Sequence, residues 1–90
     1  MEQLFSLEGK KAFVSGASRG LGREMALTLA EAGAEVALAG RNIEGLNETA
    51  TLIKQMNQAA LVCRMDISKL DDIERAVSEA VKSLGRIDIL

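Results

Sequence analysis

Gly16, Gly20 and Gly22, spaced as Gly-x-x-x-Gly-x-Gly, are the residues of this chain best suited to hold a ligand, and the ligand they suit is a phosphate. An anion at the start of a helix is stabilised by backbone N–H groups that lack a partner inside the helix and by the positive end of the helix dipole. A side chain beyond hydrogen would hold that anion away. The run Ser15-Gly16-Ala17-Ser18-Arg19-Gly20-Leu21-Gly22 therefore forms a candidate cradle, with Ser18 and Leu21 within it. A tight strand-to-helix turn also selects glycine for backbone reasons alone, so the triplet carries two readings. No Gly-Lys-Ser/Thr follows, which disfavours hydrolysis of ATP or GTP.

About 20 residues past such a loop, an Asp or Glu accepts hydrogen bonds from an adenosine ribose, whereas a 2′-phosphate calls for arginine. The chain places Gly40-Arg41-Asn42 there. A carboxylate would repel the extra phosphate, while the forked guanidinium of Arg41 pairs with it and Gly40 leaves room. Arg19, just before the second glycine, is placed to reach the same group. NADP is thus the expected cofactor, ahead of NAD. The missing acid also argues against a methyltransferase that binds S-adenosylmethionine. Each arginine has a plainer reading as a solvated surface charge.

These residues need elements to position them. Short apolar runs at Lys11 to Ser15, Glu35 to Ala39, Ala60 to Met65 and Ile87 to Leu90 are too short for helices and do not alternate, as expected of strands buried on both faces. Between them lie segments of helical period. Leu21 to Ala32 puts Leu21, Met25, Leu29 and Ala32 on one stripe, Ile43 to Asn57 puts Leu46, Ala50 and Ile53 together, and the third carries Leu70, Ile73, Val77, Val81 and Leu84. Ser68 is a suitable cap for the third helix and Gly85 a suitable end. Met25, Met56 and Met65 are expected to face the core. The alternation βαβαβαβ predicts the N-terminal half of a Rossmann-type α/β fold, a doubly wound parallel sheet with strand order 3-2-1-4. The fourth strand would be an exposed edge.

Composition agrees with one globular unit: 90 residues, 48% hydrophobic and 27% charged, without proline. Residues 1–90 are expected to form a single unit with no second domain. A formal charge of −2 and 2% aromatic residues supply neither the basic field nor the stacking platforms of a nucleic-acid binder. There is no histidine, and the one cysteine, Cys63, sits in an apolar run where it packs as a small hydrophobe. No metal site is expected. The polar start, Met1 to Lys11, and the lack of a long apolar run point away from the membrane and to the cytoplasm.

The glycine loop resembles that of the classical short-chain dehydrogenase/reductase family, Thr-Gly-x-x-x-Gly-x-Gly, with Ser15 in place of the threonine. The resemblance runs on through Gly33-Ala34-Glu35-Val36, through Asp66, and through Gly85-Arg86-Ile87-Asp88-Ile89-Leu90, which family members continue as Asn-Asn-Ala-Gly. The opening Leu4-Phe5-Ser6-Leu7-Glu8-Gly9-Lys10 is similar to that of some sugar and gluconate dehydrogenases of the family.

The resemblance implies a reductase or dehydrogenase that moves hydride between NADP(H) and a small-molecule alcohol or carbonyl. It also implies that Asp66 accepts from the adenine amino group and that Ile67 lines the adenine pocket, although an Asp in a turn needs no ligand to explain it. The family's chemistry needs a tyrosine proton donor, a lysine four residues on and a serine. This sequence contains no tyrosine and no histidine. No catalytic residue is therefore expected within the 90, and the homo-oligomer typical of the family is expected only for a full-length form. Two other readings stay open, a non-catalytic nucleotide-binding module and an inert truncated fragment.

Overall fold

A computed structural model describes residues 6–89. Its elements run β1 (Lys11–Ser15), α1 (Gly20–Glu31), β2 (Glu35–Gly40), α2 (Ile43–Lys54), β3 (Ala60–Arg64) and α3 (Leu70–Leu84). The strands form a parallel sheet in the order β1-β2-β3, with Lys11 opposite Glu35 and Val36 opposite Ala60. Parallel neighbours need crossover connections, and helices provide them. The fold is the expected doubly wound βαβ arrangement, with three full strands.

The central strand explains the packing. Val36, Ala37, Leu38 and Ala39 are all buried, and successive side chains leave the strand on opposite faces. Val36 and Leu38 join Ala12, Val14, Ala26, Ala30, Leu46, Ala50 and Ile53 in a core beneath α1 and α2. Ala37 and Ala39 join Phe13, Cys63, Met65, Ala76 and Ala80 beneath α3. Helices on both faces are what a non-alternating apolar strand requires.

Two of the three expected helical stripes meet the core only in part. In α1 the buried residues are Ala26 and Ala30, with Leu29 of the expected stripe partly buried against the same core, while Leu21 is 77% and Met25 52% exposed. In α3 the buried residues are Ala76 and Ala80, and Ile73, Val77 and Leu84 of the expected stripe are partly buried against the same core, while Leu70 is 69% and Val81 39% exposed. Alanine lets the helix backbone approach the sheet closely, and the larger side chains then fall on its flanks. The α2 stripe of Leu46, Ala50 and Ile53 is buried as expected. Met65 is in the core, Met56 is partly buried against it, and Met25 is not in it.

Several strand and helix ends shift by one residue, and three differences are larger or bear on a cap. Lys69, not Ser68, is the N-cap of α3. The Ser68 hydroxyl instead donates to Asp66 Oδ1 at 2.6 Å, an acceptor two residues back. Helix α2 stops at Lys54 rather than Asn57, because Asn57 takes φ 63°, a left-handed backbone that a helix cannot continue. The fourth strand is a single parallel bridge between Ala12 and Ile89 on the free side of β1, the side that order 3-2-1-4 assigns it. Phe13 N–H donates to Ile89 O at 2.8 Å, and the Asp88 carboxylate accepts from Lys11 N–H at 2.9 Å. Leu4, Phe5 and Leu90 lie outside the described residues. Among the described residues, no helix is long and apolar enough to cross a membrane.

Candidate functional site

At their C-terminal ends β1 and β2 lie side by side, with Ser15 opposite Ala39, and each then turns into a helix. Ser15, Gly16, Ser18, Arg19, Gly40, Arg41, Asn42, Met65 and Ile67 line a cleft of about 390 Å³ there. Six of the residues expected at the site therefore share one cavity: Gly16, Ser18, Arg19, Arg41, Asn42 and Ile67.

The three glycines do different things. Gly16 and Gly20 take φ of 64° and 59°, and the space a Cβ would occupy at each is open to 4 Å. At these two positions the backbone is both exposed and approachable. Gly22 is different, because a Cβ there would stand 1.9 Å from Gly16 O. It allows α1 to pack on its own loop, so its service to a ligand is indirect. Leu21 sits in the first turn of α1 but borders another apolar surface with Met25 and Leu29, and it does not line the cleft.

No side chain caps α1, and its first turn contains no acid. The helix start thus keeps its positive end toward the cleft without a built-in carboxylate to compete for an anion. Helix α2 contrasts with it. Asn42 is the α2 N-cap, and its Oδ1 accepts from Gly45 N–H at 3.1 Å. Its side chain therefore has a structural task as well as a place on the cleft wall.

Arg41 also lines a second, neighbouring cleft of about 670 Å³, with Arg64, Asp66, Lys69, Leu70, Asp71, Asp72 and Arg75. Asp66 belongs to this cavity rather than the first, and Arg41 is the wall between them. Asp66 Oδ1 accepts from the Ser68 hydroxyl and from Ser68 N–H, and these bonds, with lesser help from the nearby Arg41 and Lys69 charges, hold its carboxyl below the usual carboxylate value. Asp66 is ionised at neutral pH. It offers an acceptor beside two cations.

Cys63 is buried, and burial followed by the Glu79 charge pushes its thiol above the ordinary value. It is a packing residue. Among the described residues there is no cluster of His, Cys, Asp or Glu that could hold a metal. Sequence reasoning missed Arg23, Gly45 and Thr49, which tie α2 to the glycine loop from behind. Nothing in their spacing signals that contact, since Arg23 and Thr49 are 26 residues apart.

A family model described as short chain dehydrogenase matches residues 10–90. The 7α-hydroxysteroid dehydrogenase of Escherichia coli (strain K12) is 37% identical over 84 residues, which cover 93% of this chain and 33% of that protein. A crystal structure of a putative short-chain alcohol dehydrogenase from Sinorhizobium meliloti 1021 superposes with a TM-score of 0.90 at 39% identity, covering 97% of this chain and 35% of the other. A 7α-hydroxysteroid dehydrogenase complexed with NADH and 7-oxo glycochenodeoxycholic acid superposes with a TM-score of 0.90 at 34% identity, covering 93% and 33%. The chain spans about a third of the length of these proteins.

Proposed function

This chain belongs to the short chain dehydrogenase family, and from that premise we propose that it is the cofactor-binding part of an NADP(H)-dependent oxidoreductase acting on an alcohol or carbonyl. Residues 1–90 are, on this reading, one unit, the N-terminal part of the dinucleotide-binding domain. When bound, the nicotinamide supplies or accepts the hydride.

The backbone around Gly16 and Gly20, with the uncapped start of α1, suits the pyrophosphate. Ser18, Leu21 and Gly22 belong to the same loop and help to shape it. Arg41 and Arg19 pair with the 2′-phosphate, and Asn42 keeps Arg41 at the head of α2 by capping that helix. Asp66 accepts from the adenine amino group, and Ile67 covers the ring's face. None of these residues transfers the proton of the reaction. The sequence holds no tyrosine and no histidine, so the 90 residues are expected to bind cofactor without turning it over. The small-molecule substrate and any homo-oligomer belong to a full-length form.

One observation carries the preference for NADP: Arg41 follows β2 directly, where NAD sites place an acid, and lines one cleft with Arg19 and the glycine loop. A solved relative holds NADH, so the choice needs its own test. Arg41→Ala is expected to weaken NADP binding on the order of tenfold or more, as loss of a charge-assisted pair does, and to leave NAD affinity nearly unchanged. Isothermal titration with both cofactors decides it. Equal losses would remove the phosphate assignment.

A further inference from the structure

We propose that Arg23, Thr49 and Gly45 form a clasp through which α2 sets the orientation of the phosphate-binding loop, with Arg23 and Thr49 as positioning residues; this rests on the nucleotide reading above. Arg23 lies in the first half of α1, and its side chain is three-quarters buried against α2. Its Nε donates to Thr49 Oγ1 at 2.9 Å. Its Nη2 donates to Ser18 O, to Gly45 O at 3.1 Å and to Glu48 Oε1 at 3.0 Å. Thr49 is fully buried, and it is the one buried polar side chain among the described residues. Its hydroxyl reaches Ala17 O at 2.8 Å and Gly45 O at 3.1 Å, so a single proton serves two carbonyls while the oxygen accepts from Arg23.

The consequence follows from the planarity of the peptide. In a trans peptide the C=O of one residue and the N–H of the next point in opposite directions. The clasp takes hold of the carbonyls of Ala17 and Ser18 on the α2 side. The N–H groups of Ser18 and Arg19 are thereby turned the other way, and both residues line the cleft assigned to phosphate. Without the clasp, either carbonyl can rotate toward the anion and repel it. Gly45 completes the contact, because a Cβ there would stand 2.8 Å from Ser18 Cβ and Ser18 O and would push the loop off α2. The charge of Arg23 adds positive potential behind the loop, offset by Glu48.

The test uses the 90-residue chain and two probes, ADP for the loop and adenosine 2′-monophosphate for the Arg41 side. Thr49→Val removes the hydroxyl at nearly constant volume and is expected to cut ADP affinity on the order of tenfold, while 2′-monophosphate affinity changes by less than about twofold. Thr49→Ser restores ADP binding. Arg23→Lys keeps the charge but loses the fork, and it is expected to lose ADP affinity as Thr49→Val does. Unchanged ADP affinity in Arg23→Lys, or equal losses for the two probes in Thr49→Val, overturns the clasp. Binding of neither probe by the parent chain overturns the nucleotide reading and the clasp with it.

Discussion

The carboxylate of Asp72, in the first turn of α3, accepts the backbone N–H of Asp66 six residues earlier. Its other oxygen accepts from Arg75, whose guanidinium also donates to the carbonyl of Arg64 at the end of β3. The turn that presents Asp66 is thus tied to α3 at one end and to the sheet at the other. The same carboxylates make the fold sensitive to acid.

Asp72 is held below the ordinary value of 3.8, first by the Asp66 N–H and then by Arg75. Asp66 is lowered chiefly by Ser68, and Asp88 first by Lys11 N–H and then by Arg86. A carboxylate whose pKa falls on folding binds its proton less readily in the native state, so its contribution to stability is present above 3.8 and lost as pH falls through the lowered native value. Thermal midpoints between pH 7 and 2 are expected to hold down to about pH 4 and then drop. In Asp72→Asn and Asp88→Asn the midpoint starts lower and drops less over the same acidic range. A parent midpoint flat to pH 2 would remove this account.

Gly22 and Gly40 are both glycines beside the site, with opposite steric surroundings. A methyl at Gly22 meets Gly16 O at 1.9 Å, whereas at Gly40 its nearest neighbour is Leu46 Cδ2 at 3.5 Å. Gly22→Ala is expected to destabilise by about 1–3 kcal/mol in urea unfolding, as overpacking does, and to displace the loop enough to weaken ADP binding. Gly40→Ala is expected to stay within about 0.5 kcal/mol of the parent. Similar costs at the two positions would contradict the close packing of α1 on its loop.

Leu38 is fully buried in the central strand, and Leu70 is 69% exposed at the start of α3. Leu38→Ala removes atoms from a packed core and is expected to cost about 2–5 kcal/mol. Leu70→Ala changes stability by less than about 0.5 kcal/mol, as surface substitutions do. Denaturant midpoints compare them directly. A large cost at Leu70 would mean that the start of α3 is turned so that Leu70 enters the core.

Cys63 is 2% exposed, and burial raises its thiol. A thiol-specific reagent at neutral pH is expected to label it only as fast as the chain opens, and at once in denaturant. Rapid labelling of the native chain would place β3 outside the core.

Much of the fold and part of the site are legible in the amino-acid order because they depend on short-range chemistry. The two-faced apolar strands, the helical periods between them and the glycine loop after β1 each lie within a few consecutive residues, and Arg41 is placed simply by following β2. The sequence alone also settles that the chain holds one cysteine and no tyrosine. Which side of α1 and α3 meets the sheet was a matter for tertiary packing. Leu21, Met25 and Leu29 share a period, yet the close approach of helix to sheet buries the neighbouring Ala26 and Ala30 and leaves only Leu29 of the three against the core. Ser68 was drawn from its expected cap by Asp66, and Gly22 was assigned to packing by the position of Gly16 O. The contact between Arg23 and Thr49 joins residues 26 apart that no local pattern relates. It forms because α1 and α2 lie side by side on one face of the sheet, where a buried hydroxyl and a guanidinium must find partners and the loop carbonyls are within reach.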